Sequence, residues 1–397
     1  MSLIYNIGIL AGIQADDVLR VEGEAQGATG TLKNAWLLTE GGRIADFGSG
    51  TPPKGFPDAI DARGGMVIPG FCDSHTHIVY AGSREGEFLD KINGLSYEEI
   101  AARGGGILNS SDLLHITSEQ ELYMQSMVRV KEMMSKGTVA MEIKSGYGLN
   151  PADELKMLRV IDRIRESVPA AVKCTFLGAH AVGRGYSHAE YVQAVIDMIP
   201  AASKYADFVD VFCDEGFFTV EDTDRILSAA KEFLIPKIHA NELAVSGGVQ
   251  VGVKHGALSV DHLERTTDAE INALRGTSTM PTMLPGSSFF LGLPYGRAKE
   301  FIGNGLGVAL ASDYNPGSSP SGDMRFVMAL ACIKMKLTPV EAFNAVTLNG
   351  AYAMGLSADY GSITRGKRAS LILTHPGWNL TRLAYNYTTP FIRQVII

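Results

Sequence analysis

The fold of this chain is decided by one stretch of sequence, Met66-Val67-Ile68-Pro69-Gly70-Phe71-Cys72-Asp73-Ser74-His75-Thr76-His77. It is an apolar run that ends in two histidines one residue apart. In a β-strand the side chains of residues i and i+2 point to the same side. Two imidazoles placed in this way at the carboxyl end of a strand can bind one divalent cation. Because a bare His-x-His pair also occurs by chance, the pair alone leaves a metal site and an ordinary loop both open.

Length and composition restrict the class of protein. The chain has 397 residues, 46% of them hydrophobic, and 44 glycines, which predicts a soluble globular protein with one large domain and a smaller one. The formal charge is −8 and no Lys/Arg cluster is present, which argues against nucleic acid as a partner.

Targeting signals are not evident in the sequence. The first residues lack a positively charged segment ahead of a long apolar stretch, which argues against a secretory signal. The longest uncharged span, 276–296, contains three prolines and fits a strand and loop better than a transmembrane helix, so we expect no membrane partner. The four cysteines form no CxxC pair, which is typical of reduced thiols, and we expect a cytoplasmic protein.

Strand-like and helical patterns alternate over most of the chain. Up to about residue 65, short alternating segments predict small antiparallel strands. From residue 66 onward, apolar runs alternate with helical patterns, which is typical of parallel βα units. Eight such runs occur, at 67–72, 138–143, 172–177, 208–212, 236–238, 258–260, 278–283 and 306–311. Helices are predicted at 97–102, 119–135, 153–166, 189–199, 220–233, 324–336 and 339–354.

Eight βα units predict an α/β fold, a TIM-type (β/α)8 barrel. We assign residues 66–355 to the barrel. Strand patterns in the tail, at 370–374 and 391–397, can join the N-terminal strands. We therefore predict a small β-sandwich domain made from residues 1–65 and 356–397.

The metal-binding and proton-transferring side chains follow the predicted barrel strands. Catalytic residues of TIM barrels lie at the carboxyl ends of the strands. The residues in such positions are His75, His77, His180, His239, His262 and Asp313. Five of the nine histidines therefore lie on one predicted rim. The other four, which lie in helical, loop or tail sequence, are expected to be surface or packing residues: His115, His188, His255 and His375.

Several motifs are shared with a known family. They lie at 69–77, 82–88, 96–100, 104–107, 142–149, 177–181, 261–263 and 312–320. The chain resembles the metal-dependent amidohydrolase superfamily, in which His-x-His follows strand one, His follows strands five and six, and Asp follows strand eight. Within it, the resemblance to the imidazolonepropionase family runs nearly end to end. Its most specific motifs are Glu142-Ile143-Lys144-Ser145-Gly146-Tyr147-Gly148 and Asn315-Pro316-Gly317-Ser318-Ser319-Pro320.

The resemblance implies a single metal ion. Three neutral nitrogens and one carboxylate suit a divalent ion and leave room for a water, and the implied ligands are His75, His77, His239 and Asp313. Relatives with two metals carry a carboxylated lysine after strand four, where this chain has Cys213-Asp214-Glu215. Lys144, after the second run, is expected to be structural or hydrogen-bonding. We expect zinc first, and iron (Fe²⁺ or Fe³⁺) as the alternative, since both accept these donors.

The resemblance also implies catalytic roles around that ion. A bound cation lowers the pKa of its water and supplies hydroxide near neutral pH. Glu242, three residues beyond His239, is expected to carry a proton from the water to the leaving ring nitrogen, although it could be a solvated loop residue. His262 is expected to stabilise the oxyanion, and its alternative role is that of a buried histidine paired with Asp261.

Substrate-binding residues follow by the same comparison. Arg84 is suited to gripping a carboxylate, although an arginine after a strand is otherwise a surface charge. Tyr147, His180 and Glu242 match positions that contact the substrate ring. The loop after strand eight matches the product-contacting loop through Asn315, Gly317 and Ser318, although Gly and Ser could simply form a turn. Two segments, 108–115 and 181–186, depart from the family pattern and concern substrate fit.

The implied reaction is hydrolysis of the cyclic amide C–N bond of 4-imidazolone-5-propanoate to N-formimidoyl-L-glutamate, a step of histidine degradation. One alternative is a deaminase or another cyclic amidohydrolase that acts on a related heterocycle. Another is a catalytically silent barrel that serves as a scaffold, which the presence of all four ligands, Glu242 and His262 disfavours. The resemblance also implies a small-molecule substrate and a homodimer.

Overall fold

The structure is a computed structural model and describes residues 1–95 and 105–397. Its strands form a seven-stranded sheet and an eight-stranded sheet. In chain order they are β1 (Ser2–Ile13), β2 (Gly30–Glu40), β3 (Arg43–Ser49), β4 (Ile60–Asp61), β5 (Gly65–Pro69), β6 (Phe71–Thr76), β7 (Thr138–Lys144), β8 (Ala171–Ala179), β9 (Phe208–Cys213), β10 (Ile235–Ala240), β11 (Ser259–His262), β12 (Met280–Met283), β13 (Ala309–Leu310), β14 (Leu371–Pro376) and β15 (Ile392–Ile396).

The eight-stranded sheet is the predicted barrel. Strands β6 to β13 are adjacent in chain order, and each pairs in parallel with the next. They are buried and rich in apolar residues because helices cover their outer faces. The segment after β13 completes the ring, since Thr76 forms a parallel bridge with Tyr314 and the Asp313 N–H donates to the His75 carbonyl at 3.0 Å. The TIM-type fold is therefore confirmed, and its closure brings the ends of strands one and eight together.

Helices lie between most of the barrel strands and also follow the last of them. They span Glu85–Ile92, Ile107–Ile116, Glu119–Ser135, Pro151–Ser167, His188–Ala202, Val220–Ala230, Gly248–Lys254, Asp268–Leu274, Pro285–Leu291, Ala298–Gly303, Met324–Lys334, Pro339–Val346, Leu348–Tyr352 and Leu380–Tyr385. The helix predicted at 97–102 lies outside the described residues. The single helix predicted at 339–354 is wrong, because Thr347 leaves the helical conformation with φ −120° and ψ −92°, which divides it in two.

The predicted strand 67–72 is also wrong in its bounds, because the structure divides it between two sheets. β5 pairs with β1 and β14 in the terminal sheet, whereas β6 begins the barrel. Gly70 is the junction: its N–H donates to the Ser370 carbonyl at 2.9 Å, and a Cβ there would lie 2.2 Å from Val139 Cγ1. Only glycine fits this close approach of the two sheets. Because residues 66–72 are apolar throughout, the sequence does not show that the chain passes from one sheet to the other at Gly70.

The remaining strands form one continuous sheet from both chain ends, in the order β15-β14-β5-β1-β2-β3, with β4 beside β1. Its core includes Ile4, Ile7, Leu10, Leu37 and Leu371, all buried. The domain boundaries at 65/66 and 355/356 stay a prediction. β5 (Gly65–Pro69) spans the first of them and pairs in the terminal sheet. Within the described ranges, no helix is both long enough and apolar enough to cross a membrane.

One buried amide ties the N-terminal segment to the barrel. The Asn349 Nδ2 donates to the carbonyls of Val21 at 2.9 Å and Val308 at 3.1 Å. Its Oδ1 accepts from the Val21 N–H at 2.9 Å. Because all three partners are backbone groups in a buried setting, the side chain satisfies polar groups that have no access to water.

Truncation of this amide should therefore be costly. We expect Asn349→Ala to lower the free energy of unfolding by about 2–4 kcal/mol, since each buried polar group left without a partner costs about 1–3 kcal/mol. Urea denaturation followed by circular dichroism measures it. The control is Gln193→Ala, an exposed amide that donates to Asp197, with an expected change within about 0.5 kcal/mol. Equal effects of the two variants would contradict this account of the junction.

Candidate active site

Four predicted ligands converge at the carboxyl end of the barrel. His75 lies in β6, His77 directly after it, His239 in β10 and Asp313 after β13. The Nε2 atom of His77 is 3.2 Å from that of His75 and 3.4 Å from that of His239. Asp313 Oδ1 lies 3.7 Å from His75 Nε2 and 3.5 Å from His77 Nε2. All four side chains are buried.

These donors fit one divalent ion. Ligand atoms about 2.0–2.2 Å from a tetrahedral ion are about 3.3–3.6 Å apart, which is close to the four separations of 3.2 to 3.7 Å given above. Burial and neighbouring cations hold the pKa values of His75 and His77 well below their ordinary value, and burial lowers that of His239 to about 3. The imidazoles are therefore neutral and offer lone pairs. His262 also lies close to His75 and His239, in a second possible ligand triad.

Two aspartates contact the predicted ligand histidines: Asp210, which the sequence analysis missed, and Asp261, which it had considered only as a partner of His262. Asp261 Oδ2 lies 2.7 Å from His75 Nδ1, and Asp210 Oδ2 lies 2.9 Å from His239 Nδ1. The hydrogen bond at His75 Nδ1 fixes the tautomer of that ring and leaves Nε2 as the candidate ligand atom. Asp210 lies at ion-pair distance from His239 Nδ1 without the geometry of a hydrogen bond. A charged residue within each of the otherwise apolar strands β9 and β11 is the sequence feature that could have predicted these contacts.

Beneath these aspartates lies a buried ionic layer. The Lys144 Nζ donates to Asp210 Oδ2 at 2.8 Å and to Glu142 Oε1 at 2.5 Å. Lys237 contacts Glu142 and donates to the Ser74 carbonyl at 3.1 Å. Burial raises the pKa of Asp210, but His239 and Lys144 outweigh it and hold that pKa well below its ordinary value. Lys144 thus serves as an ion-pair partner inside the barrel.

Glu242 and His262 face each other beside the ligands. The His262 Nδ1 lies 3.7 Å from Glu242 Oε2 and 3.5 Å from Glu264 Oε2. Glu264 is buried and was not predicted. Glu242 is not a solvated loop residue, because it is largely buried and its backbone N–H donates to Asp214 Oδ2 at 2.7 Å. The alternative in which His262 pairs with Asp261 is wrong, because the Asp261 carboxylate contacts His75 Nδ1 instead.

The predicted substrate residues line one cavity of about 660 Å³, together with three of the four predicted ligands, His77, His239 and Asp313. The substrate residues are Arg84, Tyr147, His180, Glu242, Asn315, Gly317 and Ser318. Arg84 is not a free surface charge: its Nε and Nη2 donate to the two oxygens of Glu87 at 2.9 and 2.6 Å. The loop after β13 is held by Asn315, whose Oδ1 accepts the N–H groups of Gly317 and Ser318 at 2.8 Å each.

Tyr147 and His180 are placed by one buried turn. Glu154 Oε1 accepts the N–H groups of Gly148 at 2.7 Å and Leu149 at 3.1 Å, which fixes the turn that carries Tyr147. The His180 Nδ1 lies 3.0 Å from the carbonyl of Gly146 in the same turn. The two rings are 5.6 Å apart and form one wall of the cavity.

The two divergent segments contact each other. Residues 108–115 belong to the helix Ile107–Ile116 rather than to a loop. The Arg184 Nη2 in the second segment donates to Asp112 Oδ2 at 2.9 Å in the first. Among the family motifs, 96–100 and residue Gly104 lie outside the described residues.

A (β/α)8 barrel with these candidate ligands at the carboxyl ends of its strands is typical of metal-dependent amidohydrolases, and comparison with known proteins agrees. The model of the Amidohydrolase family matches residues 197–396. The chain is 52% identical over 405 residues to an imidazolonepropionase of Flavobacterium johnsoniae, covering 100% of this chain and 98% of the relative. It is 53% identical over 403 residues to that of Christiangramia forsetii, with the same coverage. The chain belongs to the imidazolonepropionase family.

Solved structures support the fold. A triazine hydrolase variant superposes with a TM-score of 0.77 at 15% identity, covering 100% of this chain and 93% of that one. At this identity the likeness shows the fold alone. The family and the converging donors together imply a metal cofactor.

Loss of one ligand should release the metal. We expect His239→Ala to reduce bound zinc from about one ion per chain to below about 0.2, because the remaining donors no longer complete a tetrahedral set. Mass spectrometry of protein dialysed against excess zinc and then buffer measures the content. The control is His375→Ala, at an exposed position in β14. Full occupancy in the His239 variant would exclude this residue as a ligand.

Proposed function

We propose that the chain hydrolyses 4-imidazolone-5-propanoate to N-formimidoyl-L-glutamate, a step of histidine degradation. The observation that carries the proposal is one cavity lined by His77, His239 and Asp313, by the Glu242–His262 pair and by the guanidinium of Arg84. A heterocyclic ring with a carboxylate side chain fits a cavity that offers both candidate metal ligands and an arginine. The names of the close relatives point to the same substrate.

We propose one ion, held by His75, His77, His239 and Asp313, with zinc first and iron as the alternative for these donors. When bound, such an ion activates a water for attack near neutral pH. The absence of a lysine from Cys213-Asp214-Glu215 supports a single ion. Asp261 keeps the His75 imidazole in the tautomer that this site requires, and Asp210 lies at ion-pair distance from His239.

Glu242 serves as the proton carrier. It accepts a proton from the attacking water and passes it to the ring nitrogen that leaves, so that the C–N bond breaks without a free amide anion. Burial raises the pKa of Glu242 to about 7, against the opposing effect of His262. A carboxylate with this pKa both accepts and releases a proton near neutral pH.

His262 stabilises the charge that develops on the carbonyl oxygen. Burial lowers the pKa of His262, but the carboxylates of Glu242 and Glu264 outweigh it and raise that pKa well above its ordinary value. The ring is therefore protonated. A cationic donor that is already in place for the oxyanion needs no rearrangement during the reaction.

The other cavity residues bind the substrate. Arg84 binds the propanoate, and Tyr147 and His180 contact the imidazolone ring with Glu242. The loop after β13 contributes polar groups from Asn315, Gly317 and Ser318. Their location in the same cavity as the ligands supports these roles. We also propose a homodimer that works in the cytoplasm, which sedimentation and cell fractionation measure.

The test is turnover by zinc-loaded protein, followed as loss of the ring chromophore of 4-imidazolone-5-propanoate. We expect the wild-type chain to hydrolyse it. Glu242→Gln should lower kcat by about 10²- to 10⁴-fold, the usual contribution of a positioned acid–base group. The matched control is Glu166→Gln, at an exposed position in the helix Pro151–Ser167, with unchanged kcat.

Two outcomes count against the proposal. No turnover of this substrate together with ammonia release from an amino-substituted heterocycle would replace it with a deaminase. Full activity of the Glu242 variant would leave the proposed reaction in place but show that Glu242 is not its proton carrier.

A further inference from the structure

One face of the helix Glu85–Ile92 carries charges toward the cavity. Arg84, at the N-cap of this helix, Glu87 and Lys91 are spaced three and four residues apart, so they lie on the same helical face. Arg84 and Lys91 both line the cavity. The loop that contains Gly317 packs against both of these side chains. Two cations therefore share the end of the cavity that is assigned to the substrate carboxylate.

Arg84 has only part of its donor set available. Its Nε and Nη2 are engaged by Glu87 at 2.9 and 2.6 Å, and Glu87 is fixed in turn by the Gly106 N–H at 3.0 Å. The side-on fork of the guanidinium is thus occupied, and among residues 1–95 and 105–397 no group accepts a hydrogen bond from the Nη1 edge, which we therefore assign to a ligand. This edge lies against the loop, because a Cβ on Gly317 would be 2.3 Å from Nη1.

Lys91 lies beside the same loop and can donate further hydrogen bonds. Its Nζ donates to the Gly317 carbonyl at 3.3 Å and lies 5.5 Å from the centre of the Phe290 ring. An ammonium carries three donors, and within the described part of the chain the Gly317 carbonyl is the one hydrogen-bond acceptor of Lys91. In residues 1–95 and 105–397, no carboxylate forms an ion pair with Lys91. A half-buried cation without a carboxylate partner is a favourable position for an anion.

We propose that Lys91 is a second carboxylate-binding residue, which takes one oxygen of the substrate carboxylate while the Nη1 edge of Arg84 takes the other. This inference rests on the proposed function and deepens it. Two cations on one helical face repel each other, and a carboxylate between them relieves that repulsion. Burial and the nearby Arg84 lower the pKa of Lys91, which agrees with a site that gains from a bound anion. Lys91 thereby selects substrates that carry an acidic side chain.

The test compares two ligands that differ only in charge, imidazole-4-propanoate and its primary amide. Calorimetry on the zinc-loaded protein gives both Kd values without turnover. We expect Lys91→Met to weaken acid binding about tenfold or more, the usual size of a lost charge-assisted hydrogen bond. Amide binding should change less than about threefold. Lys91→Arg should keep most of the preference for the acid, and KM for the natural substrate should rise with kcat nearly unchanged.

The control is Lys204→Met, which removes the same charge from an exposed position between the helix His188–Ala202 and β9, at the opposite end of the barrel. Equal weakening of acid and amide binding, a change confined to kcat, or the same loss in the Lys204 variant would overturn the proposal. An arginine variant as impaired as the methionine one would overturn it as well. Because binding is read without turnover, failure of the proposed reaction is seen separately in the wild-type assay.

Discussion

The site depends on two buried contacts, Asp261 with His75 at 2.7 Å and Asp210 with His239 at 2.9 Å. Each carboxylate contacts the Nδ1 of one imidazole, whose Nε2 faces the shared centre. A carboxylate without a partner is very costly to bury, and Lys144 supplies the compensating charge. The ionic layer inside the barrel therefore follows from the need to fix the ligands.

The barrel brings together ligands that are far apart in the chain. β6 and the segment after β13 meet when the ring closes, which places Asp313 beside His75 across 238 residues of sequence. β10 contributes His239 from the opposite side. The loops that follow the same strands form the cavity above the centre, so substrate binding and metal binding share one rigid frame.

Much of this could be read from the sequence, and the failures have physical causes. The alternation of apolar runs with helical patterns predicts the barrel, and histidines after the runs predict the rim. The crossing at Gly70 escapes such analysis because the run 66–72 is apolar throughout, and only the packing against Val139 reveals it. Asp210 and Glu264 escape it because a carboxylate in a strand or loop acquires its role from a partner distant in sequence. Lys91 resembles any helical lysine until the fold places it at the cavity.

The most direct test of the account is a crystal structure of the zinc-loaded protein with anomalous data at the zinc edge. The account predicts one ion per chain, bound by the Nε2 atoms of His75, His77 and His239 and by a carboxylate oxygen of Asp313. The Nδ1 contacts of His75 and His239 with the two aspartates should be retained. A second ion in the barrel, or coordination by His262 in place of Asp313, would contradict it.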